Sequence, residues 1–264
     1  STLLHVDEHG DMGAPRFRAP LERHLDDLNR LQAFTAEQMA IYDFIVPAIH
    51  QGLFDQICWI NHVADPPTEE QLTVTATTGA VQTLEVGPAR AGRGGRTFHL
   101  ATQTIRAPFP ATAPTVLDID LDYFSCDQAN NRTERLEITA EAAADFASND
   151  RHFLKLLLGS RGTVTAEAGR FFFQLRSYEE TYRCGLKVTE LTIKARLVAL
   201  EWYLRTQHVT PVLITVARSR LSGYTPEDQW ATIERGLLAM LAQIYRTRVV
   251  DAASFIRLAK ASAE

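Results

Sequence analysis

The sequence predicts an α/β protein of three layers, α/β/α, around a mainly parallel sheet, organised as one domain over residues 1–264. Three observations carry this. Strand-sized apolar runs (Leu3–Val6, Phe54–Ile60, Val116–Leu121 and Pro211–Ala217) alternate with segments of helical length. Several of these runs stop abruptly in polar residues, Asp7-Glu8-His9-Gly10-Asp11, Asn61-His62 and Asp122 among them, as strands do where α/β proteins carry their chemistry. Val212-Leu213-Ile214-Thr215-Val216 has no polar face, which suits a strand covered by helices on both sides.

Taken in order, Leu3–Val6 begins so close to Ser1 that it is either the first strand of the fold or is preceded by a short native segment. Thr35–Ile49 reads as a helix, with Thr35 and Gln38 at capping-box spacing. Gln71–Val86 alternates Leu72, Val74 and Ala76 against Thr73, Thr75 and Thr77, then passes Gly79, so a β-hairpin is expected. Gly87–Arg96, with Arg90, Arg93 and Arg96 among glycines and Pro88, reads as a mobile positive flap over a ligand or as an ordinary hairpin loop. Thr139–Leu158 is helical by its apolar stripe, whereas Phe171–Leu175 fits strand or buried helix. Glu190–Thr206 is a helix. Thr225-Pro226-Glu227-Asp228 has the cap hydroxyl, proline and first-turn acids of another, running to about Tyr245, and a short helix follows over Ala252–Ala259.

Charge narrows the function. Lys plus Arg number 27 against 32 Asp plus Glu, a net charge of -5, which argues against nucleic-acid binding by bulk charge. No apolar stretch approaches the ~18 residues of a membrane span. Cys58, Cys126 and Cys184 share no short spacing, so neither a zinc knuckle nor a disulfide scaffold is indicated, and a reducing cytoplasm is expected.

Two acidic strand ends are the sharpest features. Asp7 and His9, two residues apart, point to one side of an extended chain, and Asp11 continues the series. Asp118, Asp120 and Asp122 share one face of an otherwise apolar strand, about 6–7 Å apart along it. Carboxylates so placed repel unless a proton or a cation intervenes, and a mixed nitrogen–oxygen set suits manganese, iron or zinc. Solvated turns and an Asp–Arg pair would explain some of these acids, but less easily all three on one strand. The two clusters can combine only if their strands are neighbours.

His5-Val6-Asp7-Glu8-His9-Gly10-Asp11 resembles the Asp-x-His-x-Asp segment of the arginase and deacetylase superfamily, and Leu117-Asp118-Ile119-Asp120-Leu121-Asp122 its Asp-x-Asp strand end. With Phe44–Ile49, Asp-Leu-Asp-Tyr-Phe and Ile214-Thr215-Val216-Ala217-Arg218-Ser219 before Gly223-Tyr224-Thr225-Pro226, the chain is similar to the peptide arginases, which convert arginine to ornithine in ribosomally made peptides. The resemblance implies a centre of two Mn2+ ions, with one ion as the deacetylase-like variant, and a precursor peptide as substrate. It makes Asp7 and Asp120 bridging ligands, assigns Asp11 to the first ion and His9 and Asp122 to the second, and leaves Asp118 behind the ligands. A metal-dependent amidohydrolase acting on an acylated amine, or a non-enzymatic partner in a peptide-biosynthesis complex, are the alternatives.

Two departures from arginases matter. Their first ion takes a histidine from an earlier strand, for which His5, His24, His62 or an upstream residue would have to substitute. The glutamate that grips the guanidinium is replaced by Ala217-Arg218-Ser219, which leaves Glu8, Glu179 or Glu180 for that task. Arg218 and Ser219 are candidate substrate-binding residues together with Asp118. Arg218 could hold a peptide carboxylate or phosphate, pair with Asp118, or face solvent. Tyr224 sits where deacetylases carry the phenol that stabilises an oxyanion, or packs as an ordinary turn tyrosine. His24, thirteen residues after Asp11, has near-arginase spacing for a proton shuttle but also reads as part of an amphipathic helix.

Overall fold

The computed structural model describes residues 1–79, 81–89, 94–109, 114–127, 134–149, 152, 162–175, 187–247 and 249–254. Eleven strands are present among them: β1 (Thr2–Val6), β2 (Arg16–Phe17), β3 (Gln56–Ile60), β4 (Thr68–Thr78), β5 (Gln82–Pro88), β6 (Arg96–Gln103), β7 (Thr115–Asp120), β8 (Glu134–Ile138), β9 (Gly162–Glu167), β10 (Arg170–Leu175) and β11 (Pro211–Ala217). The helices are α1 (Leu28–Gln38), α2 (Ile45–His50), α3 (Ala140–Ser148), α4 (Glu190–Thr206) and α5 (Trp230–Tyr245).

Eight strands form one sheet in the order β11-β7-β1-β3-β6-β4-β5-β2. The five from β11 to β6 are mutually parallel, and β4, β5 and β2 extend the sheet antiparallel as the expected hairpin and a short edge piece. From β1 the chain adds β3 and β6 on one side, then returns to place β7 on the other. The strand order therefore reverses at β1, the position where open α/β sheets leave a crevice at their carboxyl ends.

Strand alternation builds the two faces. Leu4 and Val6 of β1, with Leu117 and Ile119 of β7, bury against Ile193, Leu200 and Leu204 of α4 and Ile233 and Leu237 of α5. Leu3 and Ile57 turn to the other face and meet Phe34 of α1, Ile45 and Ile49 of α2, and Phe17. A second sheet, β8-β10-β9, is antiparallel and carries α3, with Phe146 edge-on to Phe173 at 5.5 Å.

Four expectations change. The helix read over Thr35–Ile49 is two helices: Asp27 caps α1 by accepting from the Asn29 and Arg30 N–H groups, and the chain leaves the helix at Met39 before α2 begins at Ile45. A true cap eight residues upstream thus outweighs the capping-box spacing of Thr35. The last long helix begins at Trp230 rather than Thr225, because Pro226 to Gln229 form a turn in which the Pro226 carbonyl accepts from the Gln229 and Trp230 N–H groups. Strand β11 pairs only with β7 among the described residues, and Val212 and Leu213 are exposed on this edge rather than covered. Of the two readings open for Phe171–Leu175, strand holds: it is β10, paired on both sides. Residues 153–158 of the helix expected from Thr139, Arg90 and Arg93 of the flap, and 255–259 of the last helix lie outside the described residues. Arg96 is not part of a flap; it opens β6 and donates to the Gly52 carbonyl at 3.5 Å.

Candidate metal centre

Parallel register brings the two acidic strand ends together. Val6 of β1 stands beside Ile119 of β7, so Asp7 and Asp120 emerge side by side at the carboxyl ends of neighbouring strands. The Asp7 N–H donates to the Ile60 carbonyl at 3.1 Å and its carbonyl accepts from Trp59 Nε1 at 3.0 Å, which fixes the chain where it leaves the sheet. After β7 the backbone enters a 3-10 turn, Leu121–Tyr123, capped by Asp120, whose carboxylate accepts from the Asp122 N–H at 3.1 Å. That turn folds Asp122 back above Asp120. On the β1 side, Asp11 takes a left-handed backbone conformation (φ 44°) that bends the chain back toward its own strand.

Three groups of ligand atoms result, each with its members within 4.8 Å of one another: Asp7, Asp120 and Asp122; His5, Asp7 and Asp11; and His9, Asp122 and Cys126. Asp7 belongs to two of them and so does Asp122. The five residues that the resemblance implies as ligands, Asp7, His9, Asp11, Asp120 and Asp122, are all brought together. His9 donates its backbone N–H to Asp7 at 2.6 Å, and its Nδ1 lies 2.9 Å from Asp122.

The electrostatics are those of carboxylates in need of a cation. Burial, then the charges of Asp122, Asp120 and Asp11, push the Asp7 carboxyl well above its ordinary range. Asp120 is pushed up to about 8 by burial and by Asp122, against the relief of the Ser219 hydroxyl and the Asp122 N–H. Burial raises Asp11 to about 6, although His5 and His9 draw it down. Burial opposes the charged form of both histidines, but hydrogen bonds and charge from Asp118 (for His5) and Asp122 (for His9) outweigh it and raise both.

The remaining candidates divide. Ser219 donates its hydroxyl to Asp120, so it positions a cluster carboxylate rather than facing substrate. Asp118 accepts from His5 Nδ1 at 2.9 Å and from the Thr215 hydroxyl. Arg218 does not pair with Asp118: its Nε donates to Glu234 at 2.7 Å, and its guanidinium lies over the Trp230 ring. Tyr224 is beside the cluster, its ring centroid 4.4 Å from that of His9. Glu8 follows Leu4 and Val6 to the opposite face, where it is buried and interacts with Arg196 of α4 and with Tyr123. Gripping a substrate guanidinium from there would compete with a resident cation, so Glu8 does not suit that role. His24 ends a 3-10 turn and packs against Phe34 of α1, the rings tilted with centroids 4.7 Å apart. His62 stacks on Tyr123 and hydrogen-bonds its carbonyl at 2.7 Å; burial, with Arg196 nearby, lowers it to about 4 and keeps it neutral. Glu179, Glu180 and Cys184 lie outside the described residues.

Sequence reasoning missed Cys126. Its spacing from Asp122, four residues on, is the signal that could have found it, because the 3-10 turn returns the chain to the same site. Thr215 was missed too, although it lies opposite Asp118 in register.

No protein-family model matches the chain, and no curated protein matches its sequence. The case for a metal therefore stands on the donor set. Buried carboxylates with mutual repulsion, two histidines and a thiol, arranged in three overlapping groups, fit a divalent cation or a pair of them. No helix among the described residues is long and apolar enough to cross a membrane.

Proposed function

We propose that this protein is a peptide-arginase-like member of the arginase and deacetylase superfamily that hydrolyses peptidyl arginine to peptidyl ornithine and urea at a two-manganese centre. The observation that carries the reading is the meeting of Asp7, Asp11, Asp120, Asp122 and His9 at the carboxyl ends of β1 and β7, with Asp7 common to two ligand groups. With Asp118, five aspartates bear more charge than one divalent ion neutralises and slightly more than two do. A pair of ions therefore matches them best and leaves a faintly negative site for a guanidinium. Bound manganese would supply an activated water and Lewis-acid polarisation. Water adds to the guanidinium carbon, the bond from that carbon to Nε breaks, and both protons of the added water pass to Nε, which leaves as the ornithine ammonium while the water oxygen becomes that of urea. Asp7 and Asp120 would hold the metal centre, Ser219 holds Asp120, and the Tyr224 ring flanks the cluster beside His9, where a phenol would stabilise the tetrahedral adduct.

A second reading, a mononuclear amidohydrolase of acylated amines, is favoured by Tyr224 beside His9. Manganese titration of the metal-stripped chain, followed by urea release from arginine peptides and acetate release from acetyl-lysine peptides, separates the two. Urea formation that saturates at two manganese per chain is expected. Acetate release with full activity at one ion would transfer the assignment to the amidohydrolase. Metal binding without either product would favour a non-enzymatic partner in peptide biosynthesis.

A further inference from the structure

We infer that His5, on the same strand as Asp7, is the histidine ligand of the first metal ion, held for that purpose by Asp118 and Thr215; this rests on the metal-hydrolase reading above. Both histidines outside β1 that could have substituted are engaged elsewhere, His24 on Phe34 and His62 on Tyr123. His5 is fully buried and, two residues before Asp7, shares its side of the strand.

The row across three strands sets its orientation. His5 of β1, Asp118 of β7 and Thr215 of β11 are register partners. The Thr215 hydroxyl takes Asp118 Oδ1, and Asp118 Oδ2 faces His5 Nδ1 at 2.9 Å. With both oxygens committed, the carboxylate cannot turn away, and the ring proton is drawn to Nδ1. Metal-binding histidines are typically fixed in this manner, one ring nitrogen donating to a carboxylate so that the other offers its lone pair. The other nitrogen, Nε2, lies 3.4 Å from Asp7 Oδ2, and His5, Asp7 and Asp11 form a group whose ligand atoms are all within 4.8 Å. Ligands opposite each other on a transition metal are separated by up to about 4–4.5 Å, twice the usual bond length. The group therefore needs only a small contraction to close on an ion. Asp7 would then be shared with a second ion held by Asp120 and Asp122, with His9 beside Asp122.

A purely structural role has a foothold of its own. Nε2 also lies 3.1 Å from the His9 carbonyl, so an imidazolium donating from both nitrogens would explain the contacts without any metal. The substitution His5→Asn separates the two, because its amide keeps a donor near the Nδ1 position for Asp118 while deleting Nε2. Manganese is titrated into the metal-stripped full chain by calorimetry, and the loaded protein is examined by electron paramagnetic resonance. The wild type should bind two ions with an exchange-coupled spectrum, and H5N should retain one ion with the six-line spectrum of isolated manganese. Asp118→Asn should keep both sites but weaken the first by about 10–100-fold. Wild-type stoichiometry, affinities and coupling in H5N would overturn the inference, whereas a wild type that binds no metal would overturn the reading on which it rests. Should H5N fail to fold, 15N spectra of the zinc-loaded wild type decide: a metal-bound shift at His5 Nε2 supports the role, and an unmoved resonance overturns it.

Discussion

Removing the proposed manganese ions should invert how stability depends on pH. In the metal-free folded chain Asp120 titrates at about 8 and Asp11 at about 6, against an ordinary value of 3.8 for either. An acid whose pKa is raised by folding binds its proton more tightly in the native state. Between the two values the native chain holds a proton that the unfolded chain has released, so stability falls as pH rises. From about pH 6 to about pH 8, Asp120 alone supplies a slope near 1.4 kcal/mol per pH unit, about 2–3 kcal/mol in all. His5 and His9 are also raised, and their contribution has the same sign, present below the ordinary histidine value and lost as pH climbs through the folded one. For a chain of this size the melting temperature should drop by several degrees. Manganese binding requires the same groups to be deprotonated, so the loaded protein should gain or hold stability across the window. Calorimetric melting of the stripped and loaded chain at half-unit pH steps measures both slopes, and Asp120→Asn should flatten the metal-free one by about one proton. A metal-free melting temperature that stays level or rises over this window, or an unchanged slope in D120N, would refute the electrostatic reasoning.

Two further outcomes follow from side chains around the cluster. Ser219→Ala removes the hydroxyl that favours ionised Asp120, so manganese affinity should fall by about tenfold with little change in fold, as isothermal titration would register. Cys126 shares a ligand group with His9 and Asp122, so cadmium added to the stripped protein should produce the ultraviolet thiolate-to-cadmium band, lost in Cys126→Ser and kept in Cys58→Ser, whose buried thiol is pushed up to about 12.

Much of the fold was legible because its periodicities are local. Strands β3, β7 and β11 are apolar runs with turn residues on their flanks, and β4 alternates Leu72, Val74 and Ala76 with threonines before the hairpin turns beyond Thr78. Errors fell where a local rule met a competing one. Thr35 has the right neighbour for a capping box, yet Asp27 caps earlier and α1 is already near its end by Gln38. Pro226 has the right residues around it for a helix start, but it opens a turn that precedes the helix. The exposed side of β11 was hidden for a different reason: an apolar strand sequence does not say whether the next place in the sheet is filled.

The site was legible to the extent that its geometry reduces to alternation along a strand. Spacing two residues apart predicts that Asp7 shares a side with His9 and that Asp118 shares one with Asp120, whatever the rest of the chain does. Which strands are neighbours is a property of the whole sheet. His5, Asp118 and Thr215 are separated by about a hundred residues at each step, and only the order β11-β7-β1 makes them a row. This explains why Asp118 and Arg218 invited pairing on paper: charge complementarity is visible in sequence, but register is not. Once register is known, Thr215 on one side and His5 on the other already occupy Asp118, while Arg218, beyond the strand end, reaches Glu234 of α5 instead. A buried carboxylate is held by the donors that register supplies, and the cluster above it inherits its orientation from that row.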